Sequence, residues 1–203
     1  MLISVILAHP HPGSFNHAIA DTAAAALRES GHRVTVHDLY VEKFDPLLPY
    51  TEIPRDAPLP PSIAAHCAGI AAADGIVIVH PNWWGMPPAI LKGWIDRVLR
   101  PGCAYRFEET DSGEGVPIGL LKAHAVVIFN TSNTPVVRER EVFGDPLERI
   151  WKDCIVSFCG IPVCHRRMFG VIATSSDEQR KIWLEEVREL IRHTFPPASP
   201  SGR

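Results

Sequence analysis

The stretch "ISVILAHPHPGSFNHAI", residues 3–19, decides the fold. ISVILA, residues 3–8, is an apolar run that reads as a strand. Two His-Pro pairs, Gly13 and Ser14 then break the run, and helix-forming residues follow. A strand passing through a tight polar loop into a helix leaves the first helix N–H groups unpaired beyond the strand end. Such groups bind anions, and a phosphate is one candidate.

The same alternation recurs along the 203 residues. RVTVHDL (33–39), GIVIVH (75–80), HAVVIFN (124–130) and the weaker VCHRRMFGVI (163–172) read as further strands. Between them Ile19, Ala23 and Leu27 recur at helical spacing before Gly31. Ile90, Leu91, Trp94, Ile95, Val98 and Leu99 form a broad stripe between Pro87-Pro88 and Pro101-Gly102. Asp145-Pro146-Leu147-Glu148 reads as a helix cap, a first-turn proline and an acidic third position. Ser176 to Gln179 reads as a capping box, and Trp183, Val187, Leu190 and Ile191 give the last helix its apolar face.

Strands that are apolar throughout are covered on both sides. The expected fold is therefore α/β, a doubly wound parallel sheet of five strands with helices on both faces. Residues 1–195 are expected to form one domain and 196–203 a disordered tail. PLLPYTEIPRDAPLPPS (46–62) reads as a long proline-rich connection inside that domain. Ligands of such sheets bind at the C-terminal strand ends, which singles out the loops 9–16, 80–88 and 130–145.

Several ligand classes fail on residues. Gly113, Gly115 and Gly119 miss the dinucleotide fingerprint by one position and do not lie between a strand and a helix. There is no phosphate-binding P-loop, no nucleophile elbow, and no cysteine with an arginine six residues later. No His, Cys, Asp and Glu set has metal-ligand spacing. The net charge of −3 with scattered basic residues gives no nucleic-acid footprint. The five cysteines form no C-x-x-C pair, and neither a secretory signal nor an apolar span of membrane length is read, so the expected home is a reducing cytoplasm.

What remains is a phosphate loop after the first strand and HPNWWGMPP after the third. Trp83 and Trp84 stand between a buried strand and a helix and cannot both enter the core. At least one should border the crevice, where a flat aromatic ligand could stack. A flavin needs this combination: a phosphate anchor, a flat apolar slot and hydrogen bonds to a polar ring edge.

"LAHPHPGSFNHAIADTAAAALRESGHRVTVHDLY", "NWWGMPPAILKGWIDRVL" and "GCAYRF" make the chain similar to the NAD(P)H:quinone oxidoreductases of the flavodoxin-like fold. These include quinone reductases and ancillary subunits of potassium-efflux systems. The likeness spans residues 2–170. It implies phosphate-side contacts at His9, Phe15 and Asn16, with Ser14 as helix cap beside them. It implies that Pro81, Asn82, Trp83 and Trp84 run along the isoalloxazine, where Gly85 lets the backbone turn and present N–H groups. Asn130, Thr131, Ser132 and Asn133 would hold the other ring edge. Ala104, Tyr105, Arg106 and Phe107 would face the substrate. The implied chemistry is hydride transfer from NAD(P)H through FMN or FAD to a quinone, in ping-pong order. One departure stands out. Relatives carry a Gly-Gly pair and then a Tyr after the fourth strand, whereas this loop reads NTSNTPVVREREVFGD.

The remaining expectations are plainer. Trp94 and Trp151 lie on apolar helical stripes and read as core or interface residues. Arg138, Glu139, Arg140 and Glu141 read as a solvated charged run, the cysteines as buried small residues, and His11 and His17 as surface. The polar loop carrying Tyr105–Phe107 has little reason to order on a monomer. A homodimer with two interfacial pockets is expected, with Trp94 contributing to the contact. Alternatives are a flavodoxin-like electron carrier, against which the modest charge speaks, and a flavin-binding regulatory subunit of a membrane transporter.

Overall fold

The computed structural model describes residues 1–108 and 115–197. In chain order the elements are β1 (Leu2–Leu7), α1 (Phe15–Glu29), β2 (Arg33–Asp38), α2 (Pro61–Ala72), β3 (Gly75–Pro81), α3 (Ala89–Val98), β4 (Tyr105–Phe107), β5 (Pro117–Gly119), β6 (Ala125–Thr131), α4 (Val136–Glu141), α5 (Pro146–Arg149), β7 (Val163–Phe169) and α6 (Asp177–Thr194). The five long strands form one parallel sheet in the order β2-β1-β3-β6-β7. This is the flavodoxin-like order, and the chain reverses direction across the sheet between β1 and β3.

Strand alternation builds two cores. Ile76, Ile78, Val126 and Ile128 point toward α2, α3 and Trp151. Val77, Val79, Val127 and Phe129 point toward α1 and α6. Every residue of β3 and β6 is buried, which explains their unbroken apolar character. Trp94 and Trp151 are 1% and 0% exposed. Trp94 is thus spent on the intrachain core and cannot contribute area to a subunit contact, contrary to expectation.

Local signals explain the starts of α1 and α6. Ser14 Oγ accepts from the His17 amide, and Ser176 Oγ accepts from the Gln179 amide. Asp145 departs from its reading: it sits at φ 45° with no side-chain cap bond, and its carboxylate goes instead to Arg166. Helix α2 begins inside the proline-rich segment. Pro61 occupies the first helical turn, where a missing N–H is harmless. A π-helical stretch, Ile150–Val156, follows α5 and turns Trp151 inward.

The proline-rich connection is fastened to α3. Arg97 Nε donates to Glu52 Oε2 at 3.0 Å and its Nη2 to Oε1 at 2.6 Å, both side chains buried. Arg100 Nη2 donates to the Glu52 and Pro54 carbonyls. Gly93 makes the approach possible, since a Cβ there would lie 2.2 Å from the Pro46 carbonyl oxygen.

Tyr105–Phe107 is not a loose loop. It pairs antiparallel with Pro117–Gly119, and Tyr105 packs edge-on against Phe107 and Phe158. Residues 109–114, Gly113 among them, lie outside the described residues, as do residues from 198 on. The five cysteines are free thiols; Cys67 and Cys159 are buried, Cys103 and Cys164 half-buried, and Cys154 is exposed, against expectation.

Candidate active site

Two contiguous grooves open at the C-terminal ends of β1, β3 and β6. The first, about 280 Å³, is lined by His9, Ser14, Phe15, Asn16, Pro81, Asn82, Trp83, Thr131, Ser132, Asn133, Thr134 and Ile172. The second, about 510 Å³, is lined by Asn82, Trp84, Gly85, Thr134, Glu139, Phe143 and Pro146. They meet at Asn82 and Thr134.

The floor of the first groove is the start of α1. The amides of Phe15 and Asn16 have no intrahelical acceptor and face a ligand with partial positive charge. His9 stands beside them. His9 Nδ1 lies 3.2 Å from the His11 amide and 3.4 Å from the His11 carbonyl, which holds the ring in place with Nε2 on its far side. Burial, the largest influence, pushes the His9 pKa down, so the neutral ring is the resting form. The ring edges of His17 and Trp83 flank it. His17 is not a free surface residue: it bonds Ser14 Oγ at 2.9 Å and Asp38 at 3.2 Å, which steadies the cap.

The wall between the grooves is a tight turn. Trp83 and Met86 exchange backbone hydrogen bonds in both directions. Trp84 at φ 58° and Gly85 at φ 71° occupy the two central positions, the mirror-image turn that suits strand twist. The non-glycine Trp84 holds a left-handed conformation that L-residues avoid. Its side chain is fully exposed over the second groove, while Trp83 lines the first. Both tryptophans border the crevice, one on each side. A Cβ on Gly85 would press against Pro146, 2.8 Å away.

Beneath the groove, Asn16 Nδ2 donates to Thr131 Oγ1 at 2.9 Å, and Asn82 N donates to the Thr131 carbonyl at 2.6 Å. Ser132 Oγ accepts from the Thr134 amide, and Asn133 Oδ1 accepts from the Ala173 amide. Asn130 lies outside the lining. It is fully buried and its Oδ1 accepts from Arg166 Nε at 3.0 Å, while Arg166 forks onto Asp145 and Glu148. Asn130 and Arg166 thus fix the end of β6 to the following loop from below.

Sequence reading missed six contributors. Thr134 and Ile172 line the first groove, and Phe143 and Pro146 the second. Glu139, assigned to a solvated run, is 2% exposed and accepts from Asn82 Nδ2 at 2.9 Å. Its neighbours on α4 hid it, since helical spacing inside one short charged turn gives no burial signal. His80 is completely buried; Nδ1 donates to the Pro81 carbonyl at 2.8 Å and Nε2 accepts from Trp151 Nε1 at 3.0 Å. Desolvation drives its pKa down to about 4, so it is neutral and locks the strand end on which the tryptophan turn begins.

Ala104, Tyr105, Arg106 and Phe107 line neither groove. Ala104 is fully buried, and Tyr105 and Phe107 gather with Phe158 instead.

A flavin fits the donors and acceptors present. Asn16 Oδ1 and Asn82 Oδ1 are buried without a hydrogen-bond partner among the described residues, an unfavourable state that a ligand donor would relieve. Free helix amides and the His9 ring suit a phosphate, and Trp83, Trp84, Phe143 and Pro146 offer apolar surfaces. A metal fits less well. Among the described residues one trio, His37, Glu42 and His66, has converging ligand atoms. Trp94 Nε1 donates to His66 Nδ1 at 3.3 Å, and an indole can only donate. Neutral His66 therefore carries its proton on Nε2, the nitrogen aimed at Glu42 3.1 Å away. The trio is a hydrogen-bonded clasp, not an open coordination site.

Residues 1–191 match the Flavodoxin_2 family, described as a flavodoxin-like fold. An uncharacterized NAD(P)H oxidoreductase of Haemophilus influenzae is 36% identical over 188 residues, 89% of each chain. NAD(P)H dehydrogenase [quinone] 1 of Rattus norvegicus is 30% identical over 224 aligned positions, covering 96% of this chain and 80% of its own. The solved NAD(P)H:quinone oxidoreductase from Methanothermobacter marburgensis superposes with a TM-score of 0.81 at 25% identity over 96% of both chains. With its sheet order, its family match and these relatives, the chain belongs to the NAD(P)H:quinone oxidoreductase family of the flavodoxin-like fold.

Proposed function

We propose that this protein binds one FMN or FAD per chain in the two grooves, takes a hydride from NAD(P)H and delivers it to a quinone in ping-pong order. The observation that carries the reading is the pair of unanswered buried acceptors, Asn16 Oδ1 and Asn82 Oδ1, set between a helix start and two tryptophans. When bound, the flavin supplies the hydride chemistry and the protein supplies position and electrostatics. The α1 amides and the His9 ring would hold the phosphate. Trp83 and Trp84 confine the ring from two sides. The tryptophan turn, pinned by His80 and Gly85, keeps water from one edge.

Donor and acceptor share one open groove in turn, which is the physical basis for ping-pong order. The groove lacks a wall on its solvent side, where Trp84 and Phe143 stand exposed. A second copy of the chain would supply that wall from the Tyr105–Phe107 hairpin, so the working unit is a homodimer. No helix among the described residues is long and apolar enough to cross a membrane.

Titration of the apoprotein with FMN and with FAD tests the reading directly. Binding at tens of micromolar corresponds to about 6 kcal/mol, and failure of both flavins at that level overturns it. Parallel double-reciprocal plots with NAD(P)H and a benzoquinone support the shared groove, and intersecting lines exclude it. Light scattering of the flavin-loaded protein decides the dimer.

A further inference from the structure

Glu139 is the only acidic side chain lining either groove among the described residues. It is buried, and no cation pairs with it among the described residues. Its Oε1 accepts from Asn82 Nδ2. Its backbone also ties the loop: the Glu139 carbonyl accepts from the Asp145 amide at 2.8 Å. Asn82 sits where the grooves meet, and its Oδ1 is buried and unanswered.

An asparagine amide is nearly symmetric in shape, so packing alone would let it stand either way round. A carboxylate oxygen can only accept. Turning the Asn82 amide over would set Oδ1 against Glu139 Oε1, two acceptors facing without a proton. Glu139 therefore fixes Nδ2 toward itself and forces Oδ1 to the opposite side. That side is left needing a donor. The oxidised flavin ring has a single N–H, between two carbonyls of its pyrimidine edge, and a purely aromatic ligand has none.

Resting on the flavin reading above, we infer that Glu139 is a positioning residue for the cofactor. Its carboxylate orients Asn82 so that Oδ1 accepts the ring N–H, and its charge, held in a dry loop, opposes added negative charge on the ring. The first effect acts on affinity and the second on redox potential.

Two variants separate these effects. Glu139→Gln keeps an acceptor oxygen for Asn82 Nδ2 and removes the charge. It should bind oxidised flavin within about threefold of the parent while its flavin midpoint potential moves positive. Glu139→Ala releases the amide, and the flavin dissociation constant should rise about tenfold. Affinity is read by fluorescence quenching on the apoprotein and potential by dye-coupled titration. A Glu139→Gln potential equal to the parent's, or shifted negative, overturns the inference, as does parental flavin affinity in a folded Glu139→Ala protein. If Glu139→Ala does not fold, the Glu139→Gln potential decides alone. Loss of loop packing would weaken affinity in both variants without a positive shift, and that pattern also overturns it. Should the parent protein itself bind no flavin, it is the proposed function that falls.

Discussion

The proline-rich connection and the groove loops both run outside the sheet, yet they treat buried polar groups in opposite ways. Where the connection meets α3 each buried charge is answered: Glu52 and Arg97 by each other, and Arg100 by two carbonyls. At the grooves Asn16 Oδ1 and Asn82 Oδ1, and beneath them Asn130 Nδ2, are buried with no partner among the described residues. A buried unpaired polar atom is destabilising by about 1–3 kcal/mol. The connection is thus built for stability, and the grooves hold unfilled capacity that a ligand can use. Perturbing each region should therefore move a different observable.

The largest effect is expected at the connection. Arg97→Ala leaves Glu52 buried without its cation, which destabilises by about 3–5 kcal/mol. Urea unfolding should show the loss, while flavin affinity of the folded protein stays within about twofold. A change confined to flavin affinity would break the contrast between the regions.

Next comes acidity at the buried end of β3. Burial holds His80 near 4, whereas in the unfolded chain it titrates near the ordinary value of 6.5. Between these values the unfolded chain binds a proton that the folded protein refuses, so stability falls as pH drops through that window, by up to about 3 kcal/mol. Burial lowers His9 and His66 as well, which adds loss in the same direction. Urea midpoints at intervals between pH 7 and pH 4 measure it, and His80→Gln should flatten the slope.

Asn16→Ala sharpens the comparison from the groove side. The hydrogen bond to Thr131 is lost, but so is the unanswered carbonyl, and the two nearly offset. Apoprotein stability should change by less than about 1 kcal/mol while flavin affinity falls about tenfold, equivalent to about 1.4 kcal/mol. Equal losses in both observables would show Asn16 to be ordinary core.

The smallest effect on folding is expected at Trp84. Its side chain is fully exposed and its backbone is left-handed. Trp84→Gly should leave stability the same or higher by up to about 1 kcal/mol, since glycine accepts that φ without a Cβ clash. Quinone turnover should fall at the same time. An unfolding midpoint that drops would place Trp84 in the fold's support.

The sequence by itself determined the sheet and the groove rim. Period-two and all-apolar runs record burial on one or both faces, so β1, β3 and β6 were legible, and Ser14 and Ser176 announced their helices because capping is a contact between near neighbours in the chain. Tertiary structure decided what depends on distant partners. The 57-residue separation of Asn82 and Glu139 hides their bond from any local pattern. Arg166 claims Asp145 from across the sheet and so overrides a good capping sequence. Trp94 shows an apolar face in sequence, but only packing against His66 and α2 reveals that the face is used within the chain. Local periodicity encodes which side of an element is dry; which group meets it there is set by the topology that folds the chain back on itself.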